Sequence, residues 1–280
     1  MIRLPYQAGA FYSSSTGALR KQIKDCFLHP FGPGSSPKVK DGLRKLISLI
    51  SPHAGYMFSG PVAANGYYFA AQDGRPEKII ILGPNHTGYG SQVSIMVEGI
   101  WRMPLGDVEV DTELAQEIQQ ASDLIDIDEN AHRFEHSIEV QLPFLQYIYG
   151  NAFKFVPICL MMQDLETSRD VGEAIARAAS GRNILIIAST DMSHYQPYKV
   201  VEAKDLLAIE AMLQLDESQL QSTVASNNIS MCGYGPVSAA ISASKKLGAK
   251  QGHLLSYRTS GDITGDQARV VGYASLAITR

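Results

Sequence analysis

Short runs of aliphatic residues, each stopped by a turn residue, set the strongest limit on what this chain can fold into. Leu46-Ile47-Ser48-Leu49-Ile50 runs into Ser51-Pro52, and Lys78-Ile79-Ile80-Ile81-Leu82 runs into Gly83-Pro84. Phe153 to Leu160 and Asn183 to Ala188 behave the same way. Near-continuous apolar runs of this length mark strands buried on both faces, as in a parallel or mixed sheet. Between them, Thr112–Ser122, Ser137–Tyr149, Leu165–Ala179 and Val200–Leu213 carry apolar residues at helical spacing. Ser137-Ile138-Glu139-Val140 reads as a helix start, with Pro143 inside its first turn or two. Leu254–Tyr257 and Ala268–Ile278 predict two more strands, with Gly261–Asp266 as a loop between them. Strand and helix alternate, so the expected class is α/β, with a central mixed or parallel sheet flanked by helices.

A chain of 280 residues buries roughly three quarters of its unfolded surface and needs no staples to hold a core. Residues 1–280 are expected to form a single domain: there is no internal repeat, and the Gly/Pro/Ser-rich stretch Phe31–Lys40 is short enough to be a surface loop. A net charge of −4 offers no basic footprint, so nucleic acid is not an expected partner. No apolar run is long enough to span a bilayer. The opening Met1-Ile2-Arg3-Leu4-Pro5-Tyr6 lacks the pattern of a secretory leader. The expected compartment is therefore cytoplasmic, with no membrane partner. The three cysteines, Cys26, Cys159 and Cys232, are too few and too scattered for a disulfide framework. Cys26 and Cys159 sit in apolar runs and read as small core residues.

Four polar segments lie next to the predicted elements: Ser51–Tyr56, Gly83–Gly88, Ser189–Tyr195 and Met231–Pro236. The first three follow strands, and in open α/β sheets ligands bind beyond the carboxyl ends of the strands. His53 and His86 each stand at a strand end, and imidazole and thiolate are ligands for iron, zinc and copper. Loops at such ends can bring both rings and Cys232 to one point. The plain alternative for each histidine is a turn cap or a partner for a backbone carbonyl. Cys232 precedes a helix expected near Pro236, a position that favours the thiolate, or it is only a small buried residue. Asp191 and His194, three apart, suit a general acid/base pair or a carboxylate orienting an imidazole; an Asp N-cap beside a surface His is the alternative. In Glu135-His136-Ser137-Ile138-Glu139, His136 and Glu139 either serve the site or face solvent. Phosphate-binding glycine loops, a nucleophile elbow and paired C-x-x-C motifs are absent.

The ordered set His-Ala-Gly-Tyr at 53–56, Gly-Pro-Asn-His at 83–86, Glu-His-Ser-Ile-Glu-Val-Gln-Leu-Pro-Phe at 135–144, Ser-Thr-Asp-Met-Ser-His-Tyr at 189–195 and Met-Cys-Gly at 231–233 resembles the Memo family. Gly9-Ala10-Phe11-Tyr12 resembles its opening. One tetrapeptide is weak; five in order, spread over nearly the whole chain, are specific. The resemblance implies a fold shared with class III extradiol dioxygenases, which hold Fe(II) with two His and a carboxylate. It implies His53 and His86 as metal ligands, Cys232 at the carboxylate position, and His194 as the acid/base histidine beside Asp191. It also implies a functional link to a radical SAM protein in microbial members, and signalling or redox roles in animal ones. A cysteine in the carboxylate position softens the site, so ring cleavage does not follow from the fold alone. The expectation is a metal-binding protein of unassigned redox chemistry, with His53, His86 and Cys232 as ligands and His194, Asp191 and His136 as catalytic residues. Fe(II) is expected ahead of Cu or Zn. The alternatives are a dioxygenase acting on a small aromatic substrate, and a non-enzymatic module binding a peptide or partner, with Tyr56, Tyr195 and Tyr234 as a rim.

Overall fold

The computed structural model describes residues 1–280. In chain order the elements are β1 (Ile2–Arg3), α1 (Thr16–Leu28), β2 (Leu46–Ser51), α2 (Tyr56–Asp73), β3 (Lys78–Pro84), β4 (Val93–Ile95), β5 (Ile100–Met103), β6 (Gly106–Val110), α3 (Thr112–Gln120), β7 (Asp126–Ile127) and α4 (Asn130–Arg133). A 3₁₀ turn at Glu139–Gln141 leads into α5 (Leu142–Tyr149), followed by β8 (Lys154–Leu160), α6 (Leu165–Ala178) and β9 (Ile184–Ser189). The chain ends with α7 (Tyr198–Leu213), α8 (Glu217–Ser226), α9 (Tyr234–Lys246), β10 (Gln251–Thr259), α10 (Ser260–Thr264) and β11 (Gly272–Thr279).

The strands form one mixed 11-stranded sheet with helices against it, in the order β1-β5-β6-β8-β3-β9-β2-β11-β10, with β4 attached at β8 and β7 at β4. The four apolar runs are its centre. β8, β3, β9 and β2 are neighbours and all parallel, and every residue of β2 and β9 is buried. Burial on both faces is why these strands show no alternation of polar and apolar residues. β11 and β10 add antiparallel strands at one side. No helix is long and apolar enough to cross a membrane.

The helix expected over Ser137–Tyr149 is split. Only Leu142–Tyr149 is α-helical, and Pro143 sits in its first turn, where a missing N–H costs nothing. The segment before it is a buried turn whose polar groups serve other parts of the molecule. The loop expected at Gly261–Asp266 is largely the short helix α10, closed by a capping box from Thr259 and Asp262. α2 was not expected, because Gly60, Pro61 and Gly66 interrupt its apolar pattern. It forms because the helix lies close on the sheet: a Cβ on Gly66 would collide with Ser275 and Leu49.

Candidate functional site

The parallel arrangement brings three strand ends side by side, with β9 between β3 and β2. β2 leads to His53, β3 to His86, and β9 to Ser189, Asp191 and His194. The fourth segment, Met231–Gly233, enters from the start of α9 and is stitched to the β9 end. Cys232 N–H donates to Asp191 O (3.3 Å), and Gly233 N–H donates to Thr190 Oγ1 (2.9 Å). Gly233 is required by this approach, since a Cβ there would strike the Ser189 carbonyl and the Thr190 side chain.

Cys232 Sγ lies 3.3 Å from His53 Nε2. The donor atoms of His53, His86 and Cys232 all fall within 4.8 Å of one another. The imidazole protonation follows from their partners. Ser189 Oγ donates its proton to Ser137 O (2.6 Å) and accepts from Gln141 Nε2 (2.8 Å). It can therefore only accept from His53 Nδ1, 2.8 Å away, which leaves a lone pair on Nε2. Burial also pushes the His53 imidazolium far below its ordinary pKa, helped by the neighbouring histidines, so the ring is neutral. His86 Nδ1 lies 2.9 Å from Glu135 Oε1 and donates to it, again freeing Nε2. Burial opposes charge on this pair, yet the His86 hydrogen bonds and the imidazole charges hold Glu135 at about 2, and Glu135 in turn raises His86.

His136 joins the two rings. Its centroid is 4.7 Å from that of His86 and 5.3 Å from that of His53, and burial lowers its pKa. His86, Glu135 and His136 form a second grouping within metal-binding distance. The rings face a cavity of about 660 Å³ whose walls include Phe11, Met57, Phe58, Asp191, His194 and Tyr273. Cys232 is not among its lining residues and meets the site through His53.

The comparisons with known proteins follow this geometry. The family model described as Memo-like protein matches residues 3–277. The chain belongs to the Memo family. Among its relatives, a MEMO1 family protein of Methanopyrus kandleri is 51% identical over 282 residues, covering 100% of both chains. Another, of Methanothermobacter thermautotrophicus, is 50% identical over 279 residues, covering 99% of this chain and 100% of its own. A solved structure of an uncharacterized Escherichia coli K12 protein superposes with a TM-score of 0.55 at 13% identity, over 84% of this chain and 100% of that one. That likeness is one of fold.

Several sequence readings of this Memo chain need correction. Asp191 and His194 both line the cavity, but the carboxylate does not orient the imidazole. Asp191 Oδ1 accepts the His53 backbone N–H (2.8 Å), while His194 Nδ1 donates to Ser230 O (2.8 Å). Burial lifts the Asp191 carboxyl above the usual carboxylate range, against the pull of that N–H and of His194. The helix start does not make Cys232 a thiolate: burial, and then the Asp191 charge, push its pKa up. Glu139 faces neither site nor solvent but is fully buried against Arg3. Of the tyrosine rim, only Tyr195 reaches the cavity. Tyr56 is buried with its hydroxyl donating to Val140 O (2.7 Å), and Tyr234 packs against the core. Cys26 and Cys159 are buried and unbridged, as expected. Glu135 was legible as a carboxylate beside a histidine but had no assigned role. Arg269 and Tyr273 reach the cavity from remote segments and carry no local signal, while Phe11 reaches it from the opening motif.

Proposed function

We propose that this Memo protein holds one transition-metal ion through His53, His86 and Cys232, with Fe(II) preferred over Cu or Zn, and acts on a small molecule bound in the adjoining cavity. The 3.3 Å separation of Cys232 Sγ and His53 Nε2 carries this reading. Donors at about 2.1 Å and 2.3 Å from a shared ion, at right to tetrahedral angles, sit roughly 3.1–3.6 Å apart. The free Nε2 lone pairs of His53 and His86 fit the same use, with Ser189 and Glu135 holding the opposite ring nitrogens. A bound cation would displace the proton of the half-buried thiol.

The ion would supply Lewis-acid and redox chemistry. The chain's own residues would orient the substrate and move protons. Phe11, Phe58 and Tyr273 line the cavity, and their rings suit an aromatic or otherwise planar body. His194, anchored through Nδ1, keeps Nε2 free to accept a proton from a substrate hydroxyl. Asp191, whose carboxyl burial lifts to about 6, is placed to exchange a proton with a bound molecule close to neutral pH. The aromatic lining favours an oxidoreductase acting on a small aromatic compound, resembling extradiol dioxygenases, as the specific form of this reading.

The test is elemental analysis of anaerobically purified, iron-reconstituted protein, followed by a catechol panel. Wild type should carry about one ion per chain and His53→Ala should carry almost none, because a three-donor site does not survive loss of one imidazole. Equal metal in both proteins rejects the ligand assignment.

A further inference from the structure

Beyond the histidines, the cavity contains one arginine side chain. Arg269 lines it and forms no hydrogen bond or ion pair within the chain. An exposed arginine without a partner is ordinary; the placement of this one is not. Its backbone is pinned on both sides. Ala268 N–H donates to Asp266 Oδ1 (2.9 Å), and Val270 N–H donates to Gln196 O (2.9 Å). The second bond belongs to an antiparallel bridge between Gln196 and Val270, so the segment carrying Arg269 is tied to the loop carrying His194. The Tyr195 ring centroid lies 5.8 Å from that of His194 and 5.7 Å from the guanidinium carbon. Tyr195 holds a φ of +55°, a left-handed conformation that a bulky residue rarely adopts without a compensating use. One ring therefore flanks both His194 and Arg269.

We infer that Arg269 binds an anionic group of the substrate, which is a small molecule with a planar apolar body and one carboxylate. A guanidinium fork matches a carboxylate with two parallel hydrogen bonds. A monoanion suits the local charge better than a phosphate does, since Asp191 and Asp266 also line the cavity. The apolar body lies over Phe11, Phe58 and Met57, with its other end toward the imidazoles. This inference rests on the reading of the cavity as the reaction site, but the anion contact can be measured without the metal.

The experiment is calorimetric or NMR titration of metal-free protein with benzoate, with isosteric uncharged benzamide, and with phenyl phosphate. Wild type should bind benzoate about ten-fold or more tighter than benzamide, as expected for a charged hydrogen bond. Arg269→Met should abolish that preference while leaving benzamide affinity and thermal midpoint unchanged. Arg269→Lys should retain part of it. Benzoate binding no tighter than benzamide, or an equal loss of both in Arg269→Met, overturns the assignment. Phenyl phosphate binding tighter than benzoate overturns the carboxylate in favour of a phosphoryl group. Because these arms use metal-free protein, they do not depend on whether His53→Ala changes metal content.

Discussion

At the residue scale, the two candidate imidazole ligands are backed unequally. His86 leans on a buried carboxylate, whereas His53 leans on a neutral hydroxyl relayed to Gln141 and Ser137. A carboxylate behind a ligand imidazole raises its basicity and fixes its orientation. Cys232 contributes differently, because its thiol pKa lies above the ordinary value and the proton is still present at neutral pH. A metal must displace that proton, so acid competes with binding and affinity rises with pH, by up to about ten-fold per unit for one proton released. Competition titrations across neutral pH should show this slope in wild type and a slope smaller by about one proton in Cys232→Ser. The same slope in both proteins would remove Cys232 from the ligand set.

At the element scale, the most consequential segment has almost no regular structure. Residues 1–12 are held down by a buried ion pair between Arg3 and Glu139 (2.7 Å), with both side chains at most 1% exposed. Arg3 also donates to the carbonyls of His132 (2.8 Å) and Glu135 (2.6 Å), and Glu139 accepts from the Tyr6 and Gln7 N–H groups and the Tyr12 hydroxyl. The strap then places Phe11 against the edge of His136, 5.1 Å between centroids, and Phe11 O accepts the Tyr56 N–H at the head of α2. It therefore touches both the His53 segment and His136. Glu139→Gln leaves the Arg3 charge buried without compensation and should cost about 3–5 kcal/mol in urea unfolding. A loss below about 1 kcal/mol, the range of an exposed pair, would show that the strap is not a stabilising element.

At the scale of the whole molecule, the sheet order matters more than any single strand. With β9 between β2 and β3, segments nearly 140 residues apart in sequence become neighbours, and His53 N–H reaches Asp191 across a separation of 138. One continuous hydrophobic cluster of 71 buried residues spans the sheet and its helices. Calorimetry should accordingly show a single unfolding transition. A ligand that binds only the native state adds about 2.7 kcal/mol at a hundred times its dissociation constant. For a domain of this size that is an upward shift of roughly 5–10 °C. Anaerobic Fe(II) should produce such a shift in wild type and none in His53→Ala. Two separated transitions in wild type would contradict the single domain.

The elements most legible from sequence were those whose signal is local. Strands buried on both faces must be apolar throughout, so β2, β3, β8 and β9 could be read directly, and apolar residues at helical spacing revealed α3, α6 and α7. The candidate histidines were legible because they recur in polar loops at the carboxyl ends of such strands, where open α/β sheets bind ligands. The ordered motifs indicated the Memo family. Contacts between distant segments were not legible. Nothing beside Arg3 in the sequence points to Glu139, and nothing beside Arg269 points to Tyr195. Burial decided the state of the Cys232 thiol against the local influence of a helix start, because desolvation depends on everything packed around a group. Sequence alone thus determined the central strands, the helices with a clear local pattern, the family and the chemical nature of the candidate donors. Their distances, tautomers and protonation were decided by the tertiary structure, since each is set by a partner that the chain brings in from far away.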